Sequence, residues 1–519
     1  MPTMQERLAA LEAKRATVRE GGGADKVARQ HERGKLTARE RIAKLVDPGT
    51  FFEIGTLASE WHEPWVAADG VVAGYGKIDG RICCIAAYDF TVLGGSIGPM
   101  GERKVTRLRE WALRQRVPMI WMIDSAGARI NPTGRDLDAI SEFADSGYLF
   151  KEQVIMSGVV PQIAAMVGPG AAGTAYIPGL ADFVPMVKGN SSMALGGPAL
   201  VKAVTGEEVS EEDLGGAEIH NQQSGVADQM VDNDDECIAM IKLYLSYMPQ
   251  NCEEPVALKP YDFDPAKERL DDKILSIVPD NPRGAYDVKK VIKLLVDDPA
   301  EMLEMKPHWA KNLVTCFGRI GGRPVGFVAN NPKFMGGILD VDSADKAARF
   351  VNLCDAFGIP LVFLQDVPGF LIGTKMEREG VIRHGAKMLY AVARATVPKL
   401  TVILRKAYGA GYYVMNGKAY DPDLFVSWPG GEISVMGAEG MLGIAGKKIF
   451  GGMEPDPEVK AQMVAMIQQG IDIERVARKQ FVDEIVDPRD TRIVLAMALE
   501  LTENKTVERP WRKHGVMPV

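Results

Sequence analysis

The chain has 519 residues, 46% of them hydrophobic and 25% charged, which calls for two or more globular domains. Its formal net charge of −8 argues against general nucleic-acid binding. The long uncharged run at 153–181 is interrupted by Pro161-Gln162 and Gly168-Pro169-Gly170, so no membrane span is expected.

Residues 4–18 place Met4, Leu8, Leu11 and Val18 at helical spacing among charges, predicting an exposed amphipathic helix that Gly21-Gly22-Gly23 ends. The segment lacks the apolar core of a secretion signal, and its many glutamates argue against a mitochondrial presequence, leaving the cytoplasm as the default. Thr37-Ala38-Arg39-Glu40 is a capping-box pattern that opens a second helix. Residues 71–76 and 82–87 read as strands. Residues 102–116 read as a helix with Val105, Leu108, Trp111 and Ala112 on one face, and its six Arg and Lys side chains read first as a solvated face, with a binding surface for an anionic group as the alternative. A buried-type strand at 119–123 runs into Asp124-Ser125-Ala126-Gly127-Ala128-Arg129, and the alternation of strands and helices predicts an α/β domain.

A second apolar strand, 163–167, empties into Gly168-Pro169-Gly170-Ala171-Ala172-Gly173. Such a side-chain-poor turn lets a substrate meet backbone N–H groups, which suit an enolate or other oxyanion. Val397-Pro398, an apolar strand and Gly409-Ala410-Gly411-Tyr412 repeat the arrangement. Upstream, Gly80, Gly94, Pro118, Asp124 and Gly127 match Gly322, Gly336, Pro360, Asp366 and Gly369 at a constant spacing of 242. The chain is therefore read as a duplicated domain with one candidate oxyanion turn per copy. The link falls in 253–312, which holds seven prolines, and the copies are assigned to 1–257 and 258–519. The six cysteines form no C-x-x-C and the six histidines no H-E-x-x-H, so neither a disulfide framework nor a metal site is expected.

These residues, with Gly34–Ile42, Gly206-Glu207-Glu208-Val209, Gln365-Asp366-Val367-Pro368-Gly369-Phe370, His384-Gly385-Ala386-Lys387 and Ser434-Val435-Met436-Gly437, form an ordered set. In that set the chain resembles the carboxyltransferase subunit of biotin-dependent acyl-CoA carboxylases, the β type of propionyl-CoA and methylcrotonyl-CoA carboxylases. The resemblance implies two tandem crotonase-like α/β domains in a ring-like hexamer, with sites shared between neighbouring chains. It also implies an acyl-CoA substrate that accepts carboxyl from carboxybiotin, with biotin itself taking the α-proton. Carried over by position, the oxyanion pairs are Ala172-Gly173 and Ala410-Gly411, and the substrate-binding residues are Ser125, Gly127, Ala128, Arg129 and Tyr413. Arg129 has an equal claim to be an ion-pair former, and His384 is read as structural.

The chain has neither a Walker-type phosphate loop nor a Met-Lys-Met biotin site. The resemblance therefore implies a biotin carboxylase and a biotin carboxyl carrier on other chains. Propionyl-type enzymes commonly carry an acidic residue where Tyr413 stands, which leaves the acyl group open, as the hole for the thioester is left open. A decarboxylase or transcarboxylase subunit running the same chemistry in reverse is the nearest alternative. A biotin-independent hydratase would need acid/base carboxylates. Asp124 and Asp366 end equivalent strands, which points instead to a shared structural role.

Overall fold

Short apolar strands alternating with amphipathic helices build two eight-stranded mixed sheets, in compact units of residues Met1–Pro255 and Val256–Val519. The computed structural model describes residues 1–59, 66–129, 148–449 and 456–519. The first unit holds β1 (Phe52–Ile54), β2 (Val71–Ile78), β3 (Arg81–Tyr88), β4 (Met119–Ser125), β5 (Gln162–Ala171), β6 (Pro185–Val187), β7 (Ser192–Ala194) and β8 (Gln229–Val231). Their spatial order is β1-β2-β3-β4-β5-β6-β8, with β7 paired to β5. The first three strands are antiparallel, and the sheet is parallel from β3 onward.

The second unit repeats this with β9 (Leu303–Met305), β10 (Leu313–Ile320), β11 (Arg323–Asn330), β12 (Leu361–Val367), β13 (Lys399–Tyr408), β14 (Leu424–Ser427), β15 (Glu432–Ser434) and β16 (Glu484–Ile485). Its order is β9-β10-β11-β12-β13-β14-β16, with β15 on β13. Together these are two tandem crotonase-like domains. The register carries the duplication to single residues. Val71 faces Tyr88 and Leu313 faces Asn330, a spacing of 242 in both strands (313 − 71, 330 − 88). Met119 faces Gln162 but Leu361 faces Lys399, so at β5 the spacing falls to 237 (399 − 162).

All seven residues of β4 and of β12 are buried, as central parallel strands covered on both faces require. The helix Pro99–Gln115 buries Val105, Leu108 and Ala112, and its counterpart Val341–Ala356 buries Ala347, Phe350 and Cys354 at the same positions. Not all of its cations face water. Lys104 Nζ is buried and donates to the carbonyls of Ala68 (2.7 Å) and Val71 (2.6 Å), while Lys346 reaches Ala310 (3.4 Å) and Leu313 (2.8 Å). Burial pulls the two amines down to about 8 and about 7 respectively. Arg109 is buried against Glu102 and Glu152.

At the N-terminus the helix Met4–Arg19 buries only Val18, and both halves of the Thr37–Glu40 capping box form at the start of Ala38–Leu45. Between them lies a helix the sequence reading did not anticipate, Ala24–Glu32, whose Gln30 is buried.

Candidate active site

The apolar strand 163–167 does not stop at Gly168. β5 continues to Ala171 because β7 pairs with it, Pro169 opposite Ser192 and Ala171 opposite Ala194. Gly168 is small for a packing reason: a Cβ there would lie 1.9 Å from Asp124 Oδ1 and 2.8 Å from Lys35 Nζ. The chain turns at Ala172, whose φ of 53° and ψ of −117° lie in a region alanine rarely occupies. The helix Gly173–Leu180 follows.

Here the structure corrects one donor. The Ala172 N–H is given to the Ala194 carbonyl at 3.0 Å, extending the β5–β7 ladder, and is not available to a ligand. The amides with no partner among the described residues are those of Gly173 and Thr174, at the head of the helix. In the second unit β13 likewise runs on to Tyr408, pairing with β15, and the helix Gly409–Val414 follows. Gly409 takes the left-handed position (φ 57°), and the amides of Ala410 and Gly411 have no partner among the described residues. Ala171 is paired as Tyr408 is, so the spacing across the turn is 237 (408 − 171). Gly173 thus corresponds to Ala410 and Thr174 to Gly411.

Each turn rests on a bulge. The β4–β5 register shifts between Ile123 and Ser125, and the β12–β13 register between Gln365 and Val367, centred on Asp124 and Asp366. Asp124 is fully buried and receives Lys35 Nζ (2.7 Å), Arg41 Nη1 (2.9 Å) and Gln30 Nε2 (2.9 Å). Burial lowers the Lys35 pKa, against the opposing pull of Asp124. Asp366, equally buried, receives Arg405 Nε (3.0 Å) and Tyr286 Oη (2.9 Å). Burial, reinforced by Asp366, pushes the Tyr286 phenol well up, so it stays a donor. Both carboxylates are anchored by cations, the structural role their equivalent placement implied.

Ser125 is buried at the end of β4, and its Oγ accepts the Gly127 N–H at 3.1 Å. Gly127 (φ 92°) must lack a side chain, since a Cβ would stand 2.8 Å from the Ala171 carbonyl. Ala128 is bridged to Ile97. The Gly127 carbonyl accepts from Ile97 N (2.8 Å), and Arg129 N donates to the Ile97 carbonyl (3.0 Å). Arg129 was expected as a substrate contact or an ion-pair former, and the structure gives the second. Its guanidinium pairs with the buried Asp69 carboxylate, and Nη2 donates to the Ser96 carbonyl at 3.0 Å. It braces the loop beside the first turn.

Tyr413 is half exposed two residues past Gly411, its ring 5.3 Å from that of Tyr412 and 6.2 Å from that of Tyr420. Before the same turn the buried Tyr408 hydroxyl donates to Glu432, whose other oxygen accepts from Gln468. Burial and this bond raise the Tyr408 pKa, keeping the phenol protonated. Sequence reasoning missed this pair along with Thr174. The signal for Thr174 was present: Val160-Pro161 and Val397-Pro398 stand 237 apart, not 242.

Duplicated crotonase-like domains, each presenting at least two unpartnered backbone donors at the end of its fifth strand, define an enzyme fold built to hold oxyanions. Residues 29–517 match the carboxyl transferase domain family, and the chain belongs to that family. It is 43% identical over 525 residues to methylmalonyl-CoA decarboxylase subunit alpha of Veillonella parvula, covering 100% of both chains. It is also 43% identical over 523 residues to the propionyl-CoA carboxylase beta chain of Roseobacter denitrificans, covering 99% of this chain and 100% of that one. Among solved structures it superposes on transcarboxylase 12S, described as a hexamer with methylmalonyl-coenzyme A bound, with a TM-score of 0.94 and 42% identity over 100% of this chain and 99% of the other. The chain is a carboxyltransferase. No described helix is long and apolar enough to cross a membrane.

Proposed function

We propose that the chain moves a carboxyl group between biotin carried on a partner chain and the α-carbon of an acyl-CoA, as part of a cytoplasmic acyl-CoA carboxylase. The observation that carries this is the pair of free-donor turns, Gly173-Thr174 and Ala410-Gly411, in equivalent places of a duplicated fold. Carboxylation beside a thioester passes through an enolate, and each oxygen where charge develops needs donors already in place, worth about 2.7–4 kcal/mol each. Two oxyanions arise, one on the thioester and one on the ureido ring, and there are two turns.

Biotin supplies the carboxyl group and a ureido oxygen. The second turn fits that oxygen, with two amide donors and a tyrosine wall of Tyr412, Tyr413 and Tyr420. The chain's own work is to position: Asp124 and Asp366, locked by cations, hold the bulged ends of β4 and β12 that lie beside the turns. We extend to this chain the hexameric assembly of the transcarboxylase core.

The geometry serves either direction, since forward and reverse reactions share a transition state, and identity is 43% to a decarboxylase subunit and to a carboxylase subunit alike. The test is dependence on biotin. Purified chain should exchange no carboxyl group with acyl-CoA until free biotin or a biotinylated carrier is added; turnover without biotin overturns the reading.

A further inference from the structure

A cavity of about 510 Å³ opens in the second unit where β13 begins, lined by the cations Lys399, Lys418, Lys505 and Arg509 and the carboxylates Asp421 and Asp423. It lies at the other end of β13 from the second turn: Lys399 opens the strand and Tyr408 ends it, about 30 Å further along. Lys505 and Arg509 reach it from the segment that follows the helix Thr491–Leu501.

Two of these cations are paired, Lys418 with Asp483 (2.8 Å) and Lys505 with Asp423 (2.7 Å). The other two meet no carboxylate among the described residues. Lys399 Nζ donates to the carbonyls of Tyr420 (2.5 Å) and Val392 (3.3 Å), and Arg509 Nη2 to those of Ala393 (2.9 Å) and Ala395 (3.4 Å). One N–H of the ammonium and the Nε and Nη1 donors of the guanidinium are left unspent. Burial, then the charge of Lys505, with Arg509 adding to it, pulls the Lys399 amine down to about 8.

The fold does not ask for this charge. Gln162 opens β5 as Lys399 opens β13, at the spacing of 237 (399 − 162). It makes the same kind of bond with a neutral amide, Nε2 to the Gln153 carbonyl of the preceding helix at 3.1 Å. The backbone support matches as well, Gln162 N donating to Asp182 and Lys399 N to Asp423, both at 2.8 Å. A buried ammonium that a neutral side chain replaces in the sister half bears a desolvation cost and repulsion from its neighbours, and an anion facing it offsets both.

We infer that this cavity binds a small phosphomonoester, its phosphate held by Lys399, Lys505 and Arg509. Donors converge there from three side chains, which suits the three oxygens of a phosphate better than the two of a carboxylate. The Asp421 carboxylate makes no hydrogen bond among the described residues and can accept a hydroxyl of the ester, while Pro422 and Val507 give its carbon skeleton apolar contact. The site lies outside the proposed carboxyl transfer and stands whether or not that reading holds.

The experiment is calorimetric titration of the full assembled chain at neutral pH and constant ionic strength with glycerol phosphate, inorganic phosphate and acetate. Glycerol phosphate should bind most tightly, inorganic phosphate less so and acetate least. Lys399→Gln copies the residue of the first half, and Arg509 is exposed, so Lys399→Gln and Arg509→Met should both fold. Each should weaken glycerol phosphate by about 10-fold or more, the loss of one charge-assisted contact, with carboxyl transfer from a biotinylated carrier unchanged. No binding of either phosphate to wild type at millimolar concentration overturns the inference. So does equal affinity in wild type and both folded variants, or acetate bound as tightly as the phosphates. A raised KM for acyl-CoA in either variant, without glycerol phosphate binding to wild type, would assign the cations to the phosphates of the substrate and overturn it too.

Discussion

Replacing Gly411 by alanine should disable the enzyme while leaving it folded, and the same change at Gly173 should not. A Cβ at Gly411 would lie 2.6 Å from Val367 Cγ2 and 3.1 Å from Gly369 Cα. Carbon atoms settle at about 3.5 Å or more, so the gap falls short by roughly 0.9 Å. Val367 is fully buried at the end of β12 and has little room to swing away. The turn must move instead, carrying its amides out of line. Overpacking of this kind costs about 1–3 kcal/mol of stability, and a misplaced oxyanion donor costs about 10²–10³ in kcat. At Gly173 the nearest atom to an added Cβ is Phe150 Cζ at 3.6 Å, an ordinary contact. Gly173 is also absent from the positive-φ positions, so alanine fits its backbone. Gly173→Ala should keep kcat within about 10-fold of wild type and hold or raise the melting temperature, since alanine loses less chain entropy than glycine. Both variants are checked by carboxyl transfer from a biotinylated carrier, with circular dichroism to confirm folding. Full kcat in a folded Gly411→Ala would refute the use of that turn as a donor, and a hundredfold loss in Gly173→Ala would refute the packing argument.

Ala172→Gly should leave activity unchanged and raise stability by up to about 1 kcal/mol, because it relieves a left-handed alanine whose N–H is already given to Ala194; a loss of turnover in this variant would return Ala172 to the donor set. Lys35→Met removes one of the two cations on a fully buried carboxylate and should cost about 3 kcal/mol or more, read as a lower urea midpoint; an unchanged midpoint would mean Asp124 does not depend on that pair. Tyr408→Phe takes a donor from Glu432 and should cost about 1.5–3 kcal/mol in thermal unfolding, with a fall in kcat as the second turn loosens; a wild-type melting curve would show the bond to be idle.

The duplication was legible because glycines and prolines at turns are irreplaceable and keep their spacing. Gly94 and Gly336, both left-handed, and Pro118 and Pro360 set the 242 frame before any strand was placed. The strands were legible as buried apolar runs, but their ends were not. A run that turns to glycine looks finished, and only the partner strand β7, a three-residue piece with no signal of its own, shows that β5 goes on to Ala171. That error moved the first donor pair by one residue. Matching Ala-Gly to Ala-Gly by identity set Ala172 against Ala410, whereas the ladder sets Ala172 against Gly409. The ion pair of Arg129 stood as only one of two readings for a related reason: its partner Asp69 is sixty residues away in sequence, and nothing local announces a buried pair.

The two halves meet one electrostatic demand in different ways, and the difference explains why the first turn looks as it does. Each half buries an aspartate at the bulge beneath its turn, and a buried carboxylate must be paired. The second half pairs Asp366 from the neighbouring strand of its own sheet. Arg405 on β13 reaches it directly, and the register places Arg405 where the first half has Gly168 (405 − 168 = 237). The first half has no arginine at that position and takes its cations from the N-terminal segment, Lys35 and Arg41, with Gln30 from the preceding helix. Those side chains need the volume that Arg405 fills in the other half, and Gly168 vacates it: a Cβ would collide with the Asp124 carboxylate and crowd Lys35. Part of the glycine-rich stretch at 168–173 is therefore the imprint of a borrowed cation and not of a ligand. The ligand-facing part begins only at Gly173, where the ladder ends and the helix amides have nothing left to bind.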